Sequence, residues 1–197
     1  EDQLEKICFC FAYLRKHSRD DSLWLYQSDH TLPGKYGYTI ESGVLRVAAL
    51  YDISTMDVSQ TTDDYMVPMN VFDRLFESEV QSDGSTAIVS SLCESHMFLT
   101  NTFTLKDGIV FSNGNALTAD DVQYTFERLL TAGGVNDDIP LEVVGAEALQ
   151  NGEADTLEGF AVIDDTHFSI TLNTANAGFL AELTSPAMSI VDKETVE

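Results

Sequence analysis

Basic side chains are what this sequence has least of: Lys and Arg number 10 against 33 Asp and Glu, a formal charge of −23. So acidic a chain is repelled by DNA, RNA and anionic lipid, and nucleic acid is therefore not an expected partner. Cysteine is nearly missing. Cys8, Cys10 and Cys93 form an odd, sparse set that implies no disulfide framework, and Cys-x-Cys without a second cysteine or histidine pair is a poor zinc site. No metal is expected. Long apolar runs are missing too: the densest, Ile7 to Leu14, is bounded by Lys6 and Arg15 and is far too short to span a membrane. It does not suit a secretory leader either, since Glu1, Asp2 and Glu5 stand in place of a basic start and no Ala-x-Ala step follows. A mature or trimmed chain is the simpler expectation.

Catalytic signatures are also wanting. There is no Gly-x-Ser-x-Gly, no phosphate-binding loop, no His-Glu-x-x-His and no dinucleotide fingerprint. The histidines His17, His30, His96 and His167 are scattered singly, and each acid pair (Asp63-Asp64, Asp120-Asp121, Asp137-Asp138, Asp164-Asp165) has a local duty as cap, turn or solvated surface. His96 admits two readings, a titrating switch or a satisfied surface or core residue. Neither an enzyme nor a cofactor is expected. What is present is a folded composition: 197 residues, 44% hydrophobic and 10% aromatic, are enough for one good core or two small ones, without internal repeats or low-complexity runs.

The most informative stretch runs from Leu105 to Leu130. Phe103 and Leu105 alternate with polar neighbours as a half-buried strand does, Lys106-Asp107-Gly108 supplies a turn, and Ile109 to Phe111 form a short apolar run closed by Ser112-Asn113-Gly114-Asn115. Thr118 then stands three residues before Asp121, the spacing of a capping box, with Asp120 and Asp121 at the positive end of a helix dipole. Val122, Phe126, Leu129 and Leu130 recur on one helical face, and Gly133-Gly134 ends the helix. Physically this is a strand, a short crossover and a capped amphipathic helix.

Its wording resembles the signature of the family 5 extracytoplasmic solute-binding proteins, the peptide-, dipeptide- and nickel-binding subunits of ABC importers. In that signature a strand ending Leu-(Arg/Lys)-Asp-Gly leads through Phe-x-(Asp/Asn)-Gly-x-x-Leu-Thr-Ala-(Asp/Glu)-Asp-Val into a helix carrying Phe-x-Arg. The corresponding residues are Leu105 to Gly108, Phe111 to Val122, and Phe126 with Arg128. The likeness extends to Val71-Phe72-Asp73-Arg74-Leu75 and to Glu94-Ser95, where Cys93 and His96 replace an alanine and an aromatic residue. It extends also to Leu45 to Asp57, similar to a first strand running into Ser/Thr-Leu-Asp-Pro, with Met56 for leucine and Val58 for proline. By position in the family, Tyr51, Asp52, Ile53 and Ser54 are the ligand-facing candidates; equally, these residues simply turn the chain from strand to helix.

The remaining elements follow from period and punctuation. A charge near neutral over residues 1–43, against the acidic remainder, places a boundary at Ser42-Gly43. Before it, Leu4, Ile7, Phe11 and Leu14 suggest a helix, with a buried strand over Ile7 to Tyr13 as the other reading, and Ser22 to Tyr26 and Tyr36 to Ile40 suggest short strands around Pro33-Gly34. After it, Leu45 to Leu50 reads as a strand, Asp63 to Phe76 as a helix with Pro68 in its first turn, and Val143 to Asn151 as a short helix. Phe160 to Ile163 and His167 to Leu172 read as a hairpin, Phe179 to Leu183 as a helix and Ser189 to Val191 as the start of a strand.

The resemblance implies an α/β fold: a type II periplasmic-binding-protein-like lobe over residues 44–197, a mixed sheet with helices and a β-hairpin subdomain, preceded by an unmatched segment 1–43. It also implies the remainder of a two-lobed protein beyond Glu197, since family members are much longer. Its functional expectations are capture of a peptide or similar small solute outside the cytoplasmic membrane, delivery to ABC permease subunits, and no catalysis. A solute-sensing or assembly module built on a partial fold, with self-association through an exposed interface, is the alternative.

Overall fold

The structure, a computed structural model, describes residues 38–41, 44–47, 55–61, 65–97, 101–133 and 135–196. The chain divides into two compact units, Glu1–Ile53 and Ser54–Glu197. Of the first, a hairpin is described: β1 (Tyr38–Glu41) and β2 (Val44–Val47) pair antiparallel, with Tyr38 opposite Val47 and Glu41 opposite Val44. These strands lie on either side of the composition step at Ser42-Gly43. The helix expected from Leu4 to Leu14, the strand expected from Ser22 to Tyr26 and the Cys8-Cys10 pair lie outside the described residues.

The second unit carries β3 (Phe76–Val80) paired with β4 (Thr86–Ser90), and a four-stranded sheet. In that sheet β5 (Cys93–Met97), β6 (Thr102–Leu105), β8 (His167–Ile170) and β7 (Phe160–Val162) are hydrogen-bonded in the order β5-β6-β8-β7, every ladder antiparallel. Alternation decides what the sheet buries. Phe103, Leu105, Phe168 and Ile170 are at most 1% exposed, while Thr102, Thr104, His167 and Ser169 keep partial access to water. Because Phe103 sits opposite Phe168, and Phe160 on β7 lies diagonal to Phe168, the rings stack at 5.1 Å in both steps, nearly parallel. Such cross-strand pairs are the unit of sheet stabilisation.

The long helix, α2 (Ala119–Thr131), follows a single-turn helix α1 (Pro68–Val71) in chain order and covers the apolar face of the sheet. Val122, Phe126, Leu129 and Leu130 are all at most 3% exposed, and Phe126 meets Phe160 with ring centroids 5.6 Å apart. Each such side chain contributes about 1.5–3 kcal/mol by leaving water. The expected cap is there: the Asp121 carboxylate accepts the Thr118 N–H at 2.9 Å and the Thr118 hydroxyl at 2.8 Å. The amide of Ala119 donates to the carbonyl of Asp165 at 2.8 Å, which ties the start of α2 to the hairpin turn between β7 and β8. That hairpin forms in the expected place, its turn held by Asp164, whose carboxylate accepts the amides of Thr166 and His167. The remaining elements are short: α3 (Ala146–Gln150), α4 (Phe179–Glu182) and α5 (Lys193–Val196), with 3-10 turns at Pro140–Glu142 and Pro186–Met188. Among the described residues no helix is long and apolar enough to cross a membrane.

Three expectations about elements require correction. The helix expected from Asp63 to Phe76 is only the four residues of α1, and Phe76 opens β3 instead. The backbone of the intended last turn is claimed elsewhere: the Arg74 carbonyl accepts from Leu92 N–H, and the Leu75 carbonyl from Ser91 and Cys93 N–H. Pairing with β4 and β5 thus outcompetes propagation of a helix that has Pro68 at its start and no side-chain cap. The helix expected from Val143 begins at Ala146, because Val143 forms a bridge to Leu172 and Gly145 turns the chain at φ +83°. Ser189 to Val191 does not begin a strand: Ile190 N–H donates to Asp73 O and Val191 N–H to the Thr125 hydroxyl, so adjacent amides find unrelated partners.

Candidate functional site

Tyr51, Asp52, Ile53 and Ser54 lie outside the described residues. The segment that follows them, 55–61, is described, and its fold is set by side chains that replace secondary structure. The Thr55 hydroxyl accepts Asp57 N–H at 3.0 Å, the Asp57 carboxylate accepts Ser59 N–H at 3.0 Å, and the Asp57 carbonyl accepts the amides of Gln60 and Thr61. These are the local bonds by which Asp and Thr make turns. Val58, where the family phrase has proline, is 2% exposed, whereas Met56 is 40% exposed.

Arg128, the only basic residue of α2, fixes this turn to the helix. Its guanidinium forms a fork on Asp57, one nitrogen donating to Oδ1 at 2.8 Å and the other to Oδ2 at 2.7 Å, and it also donates to the Ser59 hydroxyl. Two parallel charge-assisted bonds give both energy and geometry, and a lysine could not reproduce them. Asn136 donates to the carbonyls of Val58 and Thr61, Gln60 to the carbonyl of Ala132, and the Tyr65 hydroxyl to the carbonyl of Thr61. Paired in this way, Asp57 has a pKa below the usual carboxylate value, chiefly through its hydrogen bond from Arg128, and Arg128 is pushed up chiefly by its bond to Asp57. The arrangement positions; it holds no activated nucleophile or base.

This clamp was not expected from sequence. Asp57 and Arg128 each belong to a phrase that resembles the family signature, and 71 residues separate them. The available signal was charge: one cation on an acidic helix needs a partner, and Asp57 closes the other phrase.

A second polar cluster lies where the chain passes the cap of α2. The Asp192 carboxylate accepts from Asn113, from Asn115 at 3.0 Å and from the Thr195 hydroxyl at 2.6 Å, and Lys193 N–H donates to Asp121 at 3.1 Å. The Asp192 pKa is lowered, first by the Thr195 hydroxyl. An open cleft of about 300 Å³ beside it is lined by Asn115, Thr118, Asp120, Asp121, Lys193 and Glu194 among others. Its donors and acceptors largely satisfy one another. Cys93 is fully buried with its Sγ against the carbonyls of Ser95 and Thr104, and burial pushes the thiol pKa up, so it is a packing residue and a poor nucleophile. Among the described residues no group of His, Cys, Asp and Glu is placed to hold a metal ion.

Comparison with known proteins places this geometry in context. Residues 87–197 match the family described as bacterial extracellular solute-binding proteins, family 5 (Middle). A dipeptide-binding protein of Lactococcus lactis subsp. cremoris is 31% identical over 152 residues, covering 74% of this chain and 28% of that relative. The probable D,D-dipeptide-binding periplasmic protein DdpA of Escherichia coli is 33% identical over 101 residues, 48% of this chain and 20% of the relative. Among solved structures, the substrate-binding domain of an oligopeptide ABC transporter from Bacillus anthracis superposes with a TM-score of 0.64 at 25% identity, over 72% of this chain and 28% of its own. An oligopeptide-binding protein of Borrelia burgdorferi gives a TM-score of 0.65 at 22% identity, over 72% of this chain and 30% of its own, a likeness of fold alone. The chain thus spans under a third of the length of these relatives, and its α/β architecture is part of the type II periplasmic-binding-protein-like fold. With more than half of its length matched, the chain belongs to the family 5 bacterial extracellular solute-binding proteins.

Proposed function

We propose that this chain is the solute-binding part of an ABC-type importer subunit, working outside the cytoplasmic membrane to capture a peptide or similar small solute and pass it to permease subunits. Family membership supports a binding role, and a relative described as dipeptide-binding supports peptide as the ligand class. The single observation that carries the reading is the meeting of two signature phrases in the Asp57–Arg128 fork. Such a fork keeps the segment that follows residues 51–54 in one geometry without an internal sheet or helix. Tyr51, Asp52, Ile53 and Ser54 are the ligand-facing residues of this proposal, offering main-chain hydrogen bonds and apolar surface to the solute. Binding requires no covalent chemistry. Half of a hinged cleft cannot exclude water from both sides of a ligand, so affinity resides mainly in the two-lobed form.

Calorimetric titration with pooled di- and tripeptides tests this, on the 197-residue chain and on the native polypeptide that contains it. Saturable binding to the native polypeptide, weak or undetectable in the shorter chain, and lost on Tyr51→Ala with Asp52→Ala, is expected. No peptide binding to either would refute it.

A further inference from the structure

The aromatic stack of the four-stranded sheet ends on an imidazole. His96 on β5 lies opposite Phe103 on β6 with ring centroids 4.6 Å apart, and Phe103 continues the stack through Phe168 to Phe160. Phe76 of β3 meets His96 and Phe103 near edge-on, at 6.5 and 6.3 Å. Rings in this arrangement attract one another beyond what the burial of their area supplies. His96 is also hydrogen-bonded to the side chain of Asn101, a residue at φ +43°, whose carbonyl accepts Ile170 N–H at 3.1 Å. One imidazole thus links β3, the end of the β5–β6 pair and, through Asn101, β8.

Among the described residues, the charged groups on the elements around it do not offset a positive ring. β4 and β6 carry no ionisable side chain. On β3, alternation puts Glu77 and Glu79 on the face opposite Phe76, and Glu77 is paired with Arg74. On β8, His167 alternates with Phe168 onto the other face of the sheet and is bonded to Asp164. Glu94, on β5 itself, is exposed, and Lys106, just past β6, donates to the carbonyl of Ser91. Residues 98–100 are Phe, Leu and Thr. Burial lowers the His96 pKa, outweighing the opposite effect of Asn101.

We propose that His96 is an acid-operated latch: as the neutral ring it closes the stack between β3 and β6, and as the imidazolium it turns to water and releases the β5–β6 end of the sheet. The sign follows from linkage. A histidine whose folded pKa is depressed contributes its full stability above about 6.5, the unfolded value, and loses it as pH falls toward the folded pKa. Mildly acid surroundings therefore loosen this edge while the carboxylates are still ionised.

The test is an NMR titration of His96 in the 197-residue chain between about pH 8 and pH 4.5, with amide protection at Met97 and Thr102 and thermal melts of wild type and His96→Phe. Phenylalanine keeps an aromatic ring in the stack and removes the titration. The proposal requires a His96 midpoint below about 6.5. It also requires protection at Met97 and Thr102 to fall with that midpoint, and the wild-type Tm to drop by about 2 °C or more relative to the variant between neutral pH and pH 5. A midpoint at or above the free-imidazole value, or unchanged protection at both amides across it, would overturn the proposal. If the variant folds poorly, the wild-type titration and protection data decide alone. If it folds, parallel Tm profiles overturn the proposal.

Discussion

Replacing Arg128 by methionine removes the fork on Asp57 while keeping most of the side-chain stem. Two charge-assisted bonds of 2.8 and 2.7 Å are lost, together with the contact to Ser59. Hydrogen bonds to charged groups contribute about 1.5–3 kcal/mol each when well sheltered. Here the Arg128 and Asp57 side chains are 18% and 31% exposed, so solvent screening trims the total to about 2 kcal/mol. For a unit of this size that is a fall in Tm of about 4–8 °C. The assay is thermal or urea unfolding of wild type, Arg128→Met, Asp57→Asn and the double variant, from which the coupling energy follows; about 1 kcal/mol or more is expected. The pH dependence carries the sign. Asp57 has a depressed folded pKa, so its contribution is present above about 3.9 and lost as pH falls through the folded value. The difference between wild type and Arg128→Met should stay level from neutral pH to about 5 and shrink below about 4. A coupling energy near zero, or a difference undiminished well below the Asp57 titration, refutes the reasoning.

Asp121 serves both the cap of α2 and the amide of Lys193, so Asp121→Ala should cost about 2 kcal/mol and raise amide exchange at both Thr118 and Lys193. A loss confined to Thr118 would show that the second bond is idle. Phe103 is fully buried at the centre of the ring stack, and Phe103→Ala should cost about 3–5 kcal/mol in denaturant unfolding, whereas Val110→Ala, at a site 60% exposed, should stay within about 0.5. Gly159 is where two backbones meet: a Cβ there would lie 2.7 Å from the Thr171 carbonyl and 2.8 Å from the Val144 amide. Gly159→Ala should therefore destabilise by more than about 2 kcal/mol, against about 1 for Gly84→Ala, where φ is positive and nothing lies within 4 Å. Equal effects in equilibrium unfolding would contradict the close approach.

The sequence alone determined the elements whose causes are local. The α2 helix lies where Thr118, Asp121 and the stripe Val122, Phe126, Leu129 and Leu130 require, because caps and period act within a few residues. The β7–β8 hairpin lies where alternation around Asp164-Asp165-Thr166 requires it. The family was legible too, since its signature is a run of consecutive residues. Tertiary structure decided what depends on partners distant in the chain. Met69, Phe72 and Leu75 suit a helical stripe, yet the carbonyls of Arg74 and Leu75 are taken by Leu92, Ser91 and Cys93, so the chain extends into β3. Ser189 to Val191 has strand composition, but its amides are divided between Asp73 and Thr125. The clamp at Asp57 is the same case at the candidate site: no local pattern announces that an aspartate in a loop will meet an arginine 71 residues later, and only folding α2 onto its sheet brings that charge to it. Local free energies are written in neighbouring residues, whereas the choice among competing long-range hydrogen bonds is made only when the core has closed.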